Sequence, residues 1–407
     1  MNAAPTIQDL PLRRRLLLGA LSLVIATAVW MPLLHLGFVP GSGEFRALTG
    51  ISPTARALAR RHLDLWDGSG AGRRDIAAMR VSNPEWDFMG RTYLVLSLAN
   101  MALREPRLDA QCLLVMDRII EDTENLLSEK GEYHFLMNYA RYGSFVQQPA
   151  RSMFIDGEVA LMMGARRMIE ENAGYRERMR RLVDLTAERM AAGPVRSCES
   201  YPNECWTFCN TIALAAIRMH EVLDGDDHSA LLRDWVSLAR AKLIDPETGL
   251  LCSSYTYDGR TMDGPEGSSI WMAAHCLQLV DESFAADQYH RARKELRRHC
   301  LGFGWAAEWP RSWVGPMDID SGPIIPVVEV SAGSSGLAFV GAAAFGDGDY
   351  YDALATTLKF AGFPLAEGDR LRFCAGNQVG DAVLLYSTVT GPLWEEVQRR
   401  GAQGGRP

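Results

Sequence analysis

Residues 198–211 (CESYPNECWTFCNT) gather Cys198, Cys205 and Cys209 with Glu199, Tyr201, Asn203, Glu204 and Asn210, just ahead of an apolar helical stretch. Thiols, carboxylates and amides at the mouth of a helix set proton donors beside proton acceptors, which is what acid-base chemistry on an uncharged substrate requires. Zinc suits the segment less well. Its sites favour matched Cys-x-x-Cys pairs or histidines, whereas the gaps here are longer and no His lies inside, so no metal is expected. A disulfide between two of the three, or small buried thiols filling helix contacts, would employ the same residues structurally.

Other segments carry candidates for the same pocket. Residues 84–89 (PEWDFM) flank Asp87 with Trp86 and Phe88, making Asp87 either a poised acid or an ordinary charge at a helix N-terminus. In residues 151–164 (RSMFIDGEVALMMG), Glu158 falls near the helical face of Leu161 and Met162. A carboxylate buried there would have its pKa raised and could hold a proton near neutrality; facing solvent, it would only complement the helix dipole. Residues 252–257 (CSSYTY), with Tyr255, and 267–271 (GSSIW) offer hydroxyls and rings to orient a substrate, or plain helix entries. Asp318 and Asp320 stand two apart in a loop bounded by Pro and Gly, suggesting acid-base work, a calcium pair or a solvated turn.

The elements that would hold these residues are helices. From Thr54 onward apolar residues recur with a period near 3.6, as in 91–103 (RTYLVLSLANMAL), 113–126, 157–168, 178–190 and 211–223 (TIALAAIRMHEVL). The helices arrive in pairs separated by loops rich in Gly, Pro, acids and aromatics, at 84–89, 131–149, 198–209, 251–267 and 305–326. Such hairpins predict an all-α domain, a closed toroid of about six hairpins or else an open solenoid. The Trp, Tyr, acid and Cys content of the loops favours the toroid, because loops of that kind line a site. The expected organisation is an N-terminal anchor over 1–40, one catalytic domain over 41–395 and a Gly-rich disordered tail over 396–407.

Arg13, Arg14 and Arg15 precede a mainly apolar run over 16–38, long enough to span a bilayer at ~1.5 Å per residue. Residues 26–28 (ATA) offer a cleavage site, but the run continues well past them, which favours a retained anchor. The three arginines would stay cytoplasmic and the catalytic domain would be exported to the periplasm or exterior. A net charge of −8 argues against nucleic acid as a partner. No Gly-x-Gly-x-x-Gly, Walker-type loop or His-Glu-x-x-His occurs, so no cofactor is expected.

Cys198-Glu199, Cys209-Asn210 opening a helix, and residues 243–247 (LIDPE) followed by Gly249 and Ser254-Tyr255 together resemble the linalool dehydratase/isomerase family. The likeness extends through 153–164 and 281–289, and more faintly to the C-terminal helices. It implies an (α,α)6 toroid, often oligomeric with the pocket near a subunit interface, and cofactor-free interconversion of a tertiary allylic terpene alcohol with its isomer and a diene. Cys198 and Cys209 match the two cysteines assigned acid-base roles. Glu158 stands where the family has its site histidine, and Asp156 where it has lysine. Two extra residues between the cysteines bring in Cys205. The upstream acid could be Asp64, Asp67 or Asp87, and the family's N-terminal cysteine bridge has no counterpart, since the first cysteine is Cys112.

The leading expectation is thus a membrane-anchored lyase or isomerase acting on a small apolar or amphipathic alcohol. Cys198 and Cys209 would move protons, assisted by Glu158 or Asp87, and Trp86, Glu199, Tyr201, Glu204, Asn210, Tyr255, Asp318 and Asp320 would bind substrate. Two alternatives stand beside it: a carbohydrate-active toroid using paired carboxylates such as Asp318, Asp320, Glu199 and Glu204, and a non-catalytic envelope binding protein.

Overall fold

The structure, a computed structural model, describes residues 11–66, 68, 70–317 and 321–404. Asp67, Asp318 and Asp320 therefore lie outside the described residues. The chain begins with α1 (Leu12–Leu33), then α2 (Pro53–Leu65), α3 (Gly70–Ser82), α4 (Pro84–Arg104) and α5 (Asp109–Lys130). It continues with α6 (Met153–Ile169), α7 (Ala173–Ala192), α8 (Thr207–Asp224), α9 (Ser229–Lys242) and α10 (Gly267–Leu277). The last third holds α11 (Glu282–Leu296), α12 (Ala332–Ala344), α13 (Gly348–Ala361), α14 (Gln378–Val389) and α15 (Pro392–Gly404).

Helices α4, α6, α8, α10, α12 and α14 form an inner ring, each packed on the next, with α14 closing against α4. Outside it α5 covers α4, α7 covers α6, α11 covers α10, α13 covers α12 and α2 covers α14, with α9 beside α7. This is the closed toroid. The two layers differ in sequence as burial demands. Every residue of α6 from Met153 to Met168 is buried, whereas α9 buries only Leu232, Trp235, Val236 and Ala239, spaced three and four apart on one stripe. Small residues let the inner helices close up: a Cβ on Gly157 of α6 would stand 3.1 Å from that of Ala213 on α8. Because an outer helix carries the chain back between inner ones, the inner helices start at a common end of the toroid.

Short strands decorate that end. β1 (Cys205–Trp206) pairs antiparallel with β2 (Ser254–Tyr255), which pairs with β3 (Thr261–Asp263). β4 (Arg297–Cys300) and β5 (Phe303–Ala306) form a hairpin over α13. Two more hairpins follow, β6 (Ile324–Ile325) with β7 (Val330–Ser331) and β8 (Pro364–Glu367) with β9 (Arg370–Phe373).

Three expectations need correction. Residues 84–89 are not a loop but the opening of α4, because Asn83 caps Glu85 and Trp86 through its side-chain oxygen and Pro84 occupies the first turn. Residues 396–404 belong to α15 instead of a disordered tail, since Leu393, Trp394 and Val397 are buried against the ring and the Trp394 indole stacks on His275 at 4.4 Å. Cys209 lies inside α8 and not in the loop before it. The apolar run over residues 12–37 buries none of its 18-residue apolar core against the protein and is long enough to cross a membrane.

Candidate active site

Glu158 sits in the second turn of α6, between α4 and α8, and is 1 % exposed. Its partner is the Thr92 hydroxyl of α4, which donates to the carboxyl. Burial, seconded by the charge of Glu85, pushes Glu158 up to about 8 in spite of that hydrogen bond, so the group is predominantly neutral at pH 7. The Cys209 thiol, in the first turn of α8, is also buried. Burial pushes it well above an ordinary thiol, a hydrogen bond with Ser200 opposes the shift, and the charges of Glu158 and Glu85 reinforce it. Cys209 therefore stays a thiol at neutral pH and cannot by itself act as a strong base.

Glu158 in turn acts on two further buried groups of the ring. Burial and the Glu158 charge both push the Cys276 thiol of α10 upward. The Tyr93 phenol of α4 is 2 % exposed, feels Glu158, Cys276 and Tyr386, and has a hydroxyl without a hydrogen-bond partner among the described residues. A buried hydroxyl left unsatisfied beside a neutral carboxyl is suited to bond an oxygen of a bound molecule. Nearby, burial lowers His275 to about 4, so its ring is neutral while Nε2 meets the Tyr386 hydroxyl at 2.6 Å.

At the end of the toroid where the inner helices start, Glu85 extends from the first turn of α4. It accepts from the Tyr201 hydroxyl, which itself accepts from the Met137 N–H at 3.1 Å. Tyr201 stacks on Tyr139 at 4.8 Å, and Glu204 takes the Tyr139 hydroxyl at 3.0 Å and the Trp206 indole N–H at 3.3 Å. Tyr201 and Glu204 thus belong to an aromatic rim above Cys209.

Most remaining candidates are engaged in holding that rim. Both oxygens of Glu199 are taken by backbone N–H groups of Val146 (2.9 Å), Gln147 (2.7 Å) and Asn203 (2.6 Å). Asn210 clamps the Cys198 backbone, accepting from its N–H at 2.9 Å and donating to its carbonyl at 3.0 Å. The Tyr255 hydroxyl meets Ser197 Oγ at 2.8 Å, which the Trp235 indole also reaches. Cys198 lies in this supporting layer. Burial pushes its thiol up to about 12, tempered by Arg189, and the groups acting on it are Arg189, Asp156 and Glu199, not Glu158. The extra thiol, Cys205, stands between Cys198 and Cys209 and feels both. All eight cysteines are free thiols.

Asp87 is placed elsewhere. Its carboxylate is bonded by Arg80 Nε at 2.6 Å and Arg91 Nε at 2.9 Å, so it serves as a buried counter-ion and has no charge to spare for a substrate. Trp86 and Asp87 border a cavity of about 30 Å³ between α2, α3 and α4, room for a water and no more. Of the upstream acids, Asp64 pairs with Arg370 at 2.6 Å on the outer surface.

Sequence reasoning passed over Glu85, Thr92, Tyr93, Ser200 and Cys276. Glu85 sits in the same PEWDFM stretch as Asp87, and only the helical register assigns it to the site. Thr92 and Tyr93 carried a usable signal, being adjacent hydroxyls in an otherwise apolar inner helix.

A family model described as linalool dehydratase/isomerase matches residues 131–365, from the loop before α6 to β8. Among solved structures, a selenomethionine derivative of the GH76 α-mannanase of Bacteroides thetaiotaomicron is similar at 12 % identity, with a TM-score of 0.47, covering 77 % of this chain and 87 % of that one.

Proposed function

The chain belongs to the linalool dehydratase/isomerase family, and on that premise we propose that it dehydrates or isomerises a terpene-like tertiary allylic alcohol, with Glu158 and Cys209 as its proton-transfer groups. The observation that carries this reading is the neutral, fully buried Glu158 carboxyl beside the neutral Cys209 thiol, with the Glu85 carboxylate acting on both.

Departure of a hydroxyl from an allylic carbon requires a proton on the oxygen. Glu158 is the group that holds one near neutrality in an apolar interior. As the C–O bond breaks, its electron pair leaves with the oxygen, which takes the Glu158 proton and departs as water. The allylic carbons are left with the positive charge, which the newly formed Glu158 carboxylate faces at once. Loss of a proton from the adjacent carbon gives the diene, the C–H pair becoming the new double bond. Glu85 is the base for this step, with the Cys209 thiol relaying the proton so that no free thiolate is needed. That proton returns to Glu158, and the cycle closes with one alcohol converted to one diene and one water. Return of water to the other end of the allylic cation gives the isomer instead. The Tyr93 hydroxyl would hold the substrate oxygen.

Residues 12–37 hold the enzyme in a membrane, with Arg13 to Arg15 on the cytoplasmic side and the toroid exported. In the sugar-cleaving alternative Glu199 would be a poor working carboxylate, because three backbone N–H groups already occupy its oxygens, while Asp318 and Asp320 lie outside the described residues.

The test is to incubate the full-length protein in detergent with a panel of allylic terpene alcohols and dienes and to follow products by gas chromatography. Product formation that disappears in Glu158→Gln and Cys209→Ala supports the reading. Absence of product across the panel sinks the dehydratase assignment.

A further inference from the structure

The apolar N-terminal helix does not leave the toroid at an arbitrary point. Its base packs on the β4–β5 hairpin and on the last turn of α13: the Phe38 ring meets Phe360 at 5.0 Å, Phe303 meets Phe360 at 5.1 Å, and His35 meets Phe303 at 6.3 Å. His35 lies so close over Gly302 that a Cβ there would stand 2.2 Å from the imidazole. The turn therefore accepts the helix base only because residue 302 has no side chain.

Around that docking point apolar side chains face outward. Leu36 (60 %), Phe360 (45 %) and Phe363 (67 %) are exposed, as are Leu301 (41 %) at the β4–β5 turn and Val327 (93 %) at the β6–β7 tip. The tip leans on the hairpin through the Trp305 indole, which donates to the Val328 carbonyl at 2.7 Å. One apolar rim thus joins the helix base, two loop tips and the end of α13. Soluble surfaces scatter such residues singly, whereas a contiguous group marks a contact. Here its occupant is indicated by continuity, because the rim begins where the bilayer-length helix ends, and the exposed Trp30 near that helix end is the residue type that anchors at headgroup depth.

We propose that this rim rests on the bilayer surface, so that the end of the toroid where the inner helices start, and with it the end at which Glu85, Tyr201 and Cys209 lie, faces the membrane. The inference rests on α1 being a retained span and deepens the proposed function: an apolar alcohol dissolved in the bilayer would enter the site without crossing bulk water. Phe360 ends α13 and Phe363 precedes the hairpin leading into α14, so the rim and the inner-helix starts share one end.

The exposed thiols provide the probe. Cys300 adjoins Leu301, and Cys374 is tied to the Phe363 carbonyl at 3.1 Å, while the other six cysteines are buried. Full-length Cys374→Ser protein carrying a nitrobenzoxadiazole label on Cys300 is reconstituted into phosphatidylcholine vesicles with and without doxyl-labelled phosphatidylcholine. The comparator carries the label on Asp227→Cys in a Cys300→Ser/Cys374→Ser background, in the exposed loop between α8 and α9 at the opposite end. The expected result is that the doxyl lipid extinguishes most of the Cys300 signal and spares the Asp227→Cys signal, in protein that alkaline carbonate does not extract. Equal sensitivity of the two labels in carbonate-resistant protein overturns the docking alone. Extraction by carbonate overturns the span and the docking together, and gas chromatography of the same sample reads the proposed reaction separately.

Discussion

Replacing Glu158 with Gln is the perturbation that examines the site most directly. Raising a carboxyl from 4.5 to about 8 corresponds to roughly 5 kcal/mol between its neutral and ionised forms, at about 1.4 kcal/mol per tenfold change in acidity. The folded state holds this proton more tightly than the unfolded chain does. Glu158 thus contributes its full stability below about pH 4.5, loses it progressively as the unfolded carboxyl ionises, and has none left above about pH 8. Gln keeps the shape and a hydrogen bond to Thr92 but has no proton to lose. Thermal midpoints of the full chain in detergent, measured between pH 5 and 9 for both proteins, should therefore diverge, the wild type falling relative to Glu158→Gln as pH rises. The comparison cancels other raised carboxyls, such as Glu132 and Asp381, both near 7. In parallel, the variant should lose turnover by about 100-fold or more, the usual contribution of a general acid. Wild-type turnover itself should decline above about pH 8 as the acid ionises. Parallel midpoint curves would refute the neutral buried carboxyl, and full turnover in Glu158→Gln would refute its role.

Cys209→Ala should reduce turnover by about 100-fold or more with helicity by circular dichroism unchanged, whereas Cys198→Ala should stay within about tenfold of wild type, because only Cys209 shares its surroundings with Glu158. Equal losses in the two would place Cys198 in the reaction. Asp87→Asn should destabilise the fold by roughly 3–5 kcal/mol, read as a lowered thermal midpoint, by leaving the Arg80 and Arg91 guanidiniums short of their shared carboxylate. A loss of turnover at unchanged midpoint would instead return Asp87 to the site. Glu85→Gln should lower turnover while preserving the contact with Tyr201, and full activity there would remove Glu85 as the base.

The helical toroid was legible because burial imposes a periodic demand on sequence. Inner helices such as α6 must be apolar all round and outer ones such as α9 on one stripe, and both patterns are local. The segments that carry the candidates Cys209, Glu158, Tyr201 and Glu204 were legible too, and the fold brings them to one end of the ring. The allotment of roles among them was not. Glu199, Asn210 and Tyr255 are of residue types as suited to a site as the proposed proton-transfer groups, and only the folded chain shows that their partners are backbone groups and Ser197. Asp87 and Glu85 differ by two positions and by half a turn of helix, which sends one to two arginines and the other to Tyr201.

By itself, then, the order of residues determined the helix faces, the apolar N-terminal run and the family likeness, because these depend on composition and spacing within short windows. Tertiary structure alone decided which carboxyl is neutral, which thiol faces it and where the N-terminal helix meets the toroid. Desolvation, hydrogen-bond satisfaction and ring contacts arise between residues far apart in the chain, as Thr92 with Glu158 and Phe38 with Phe360 show.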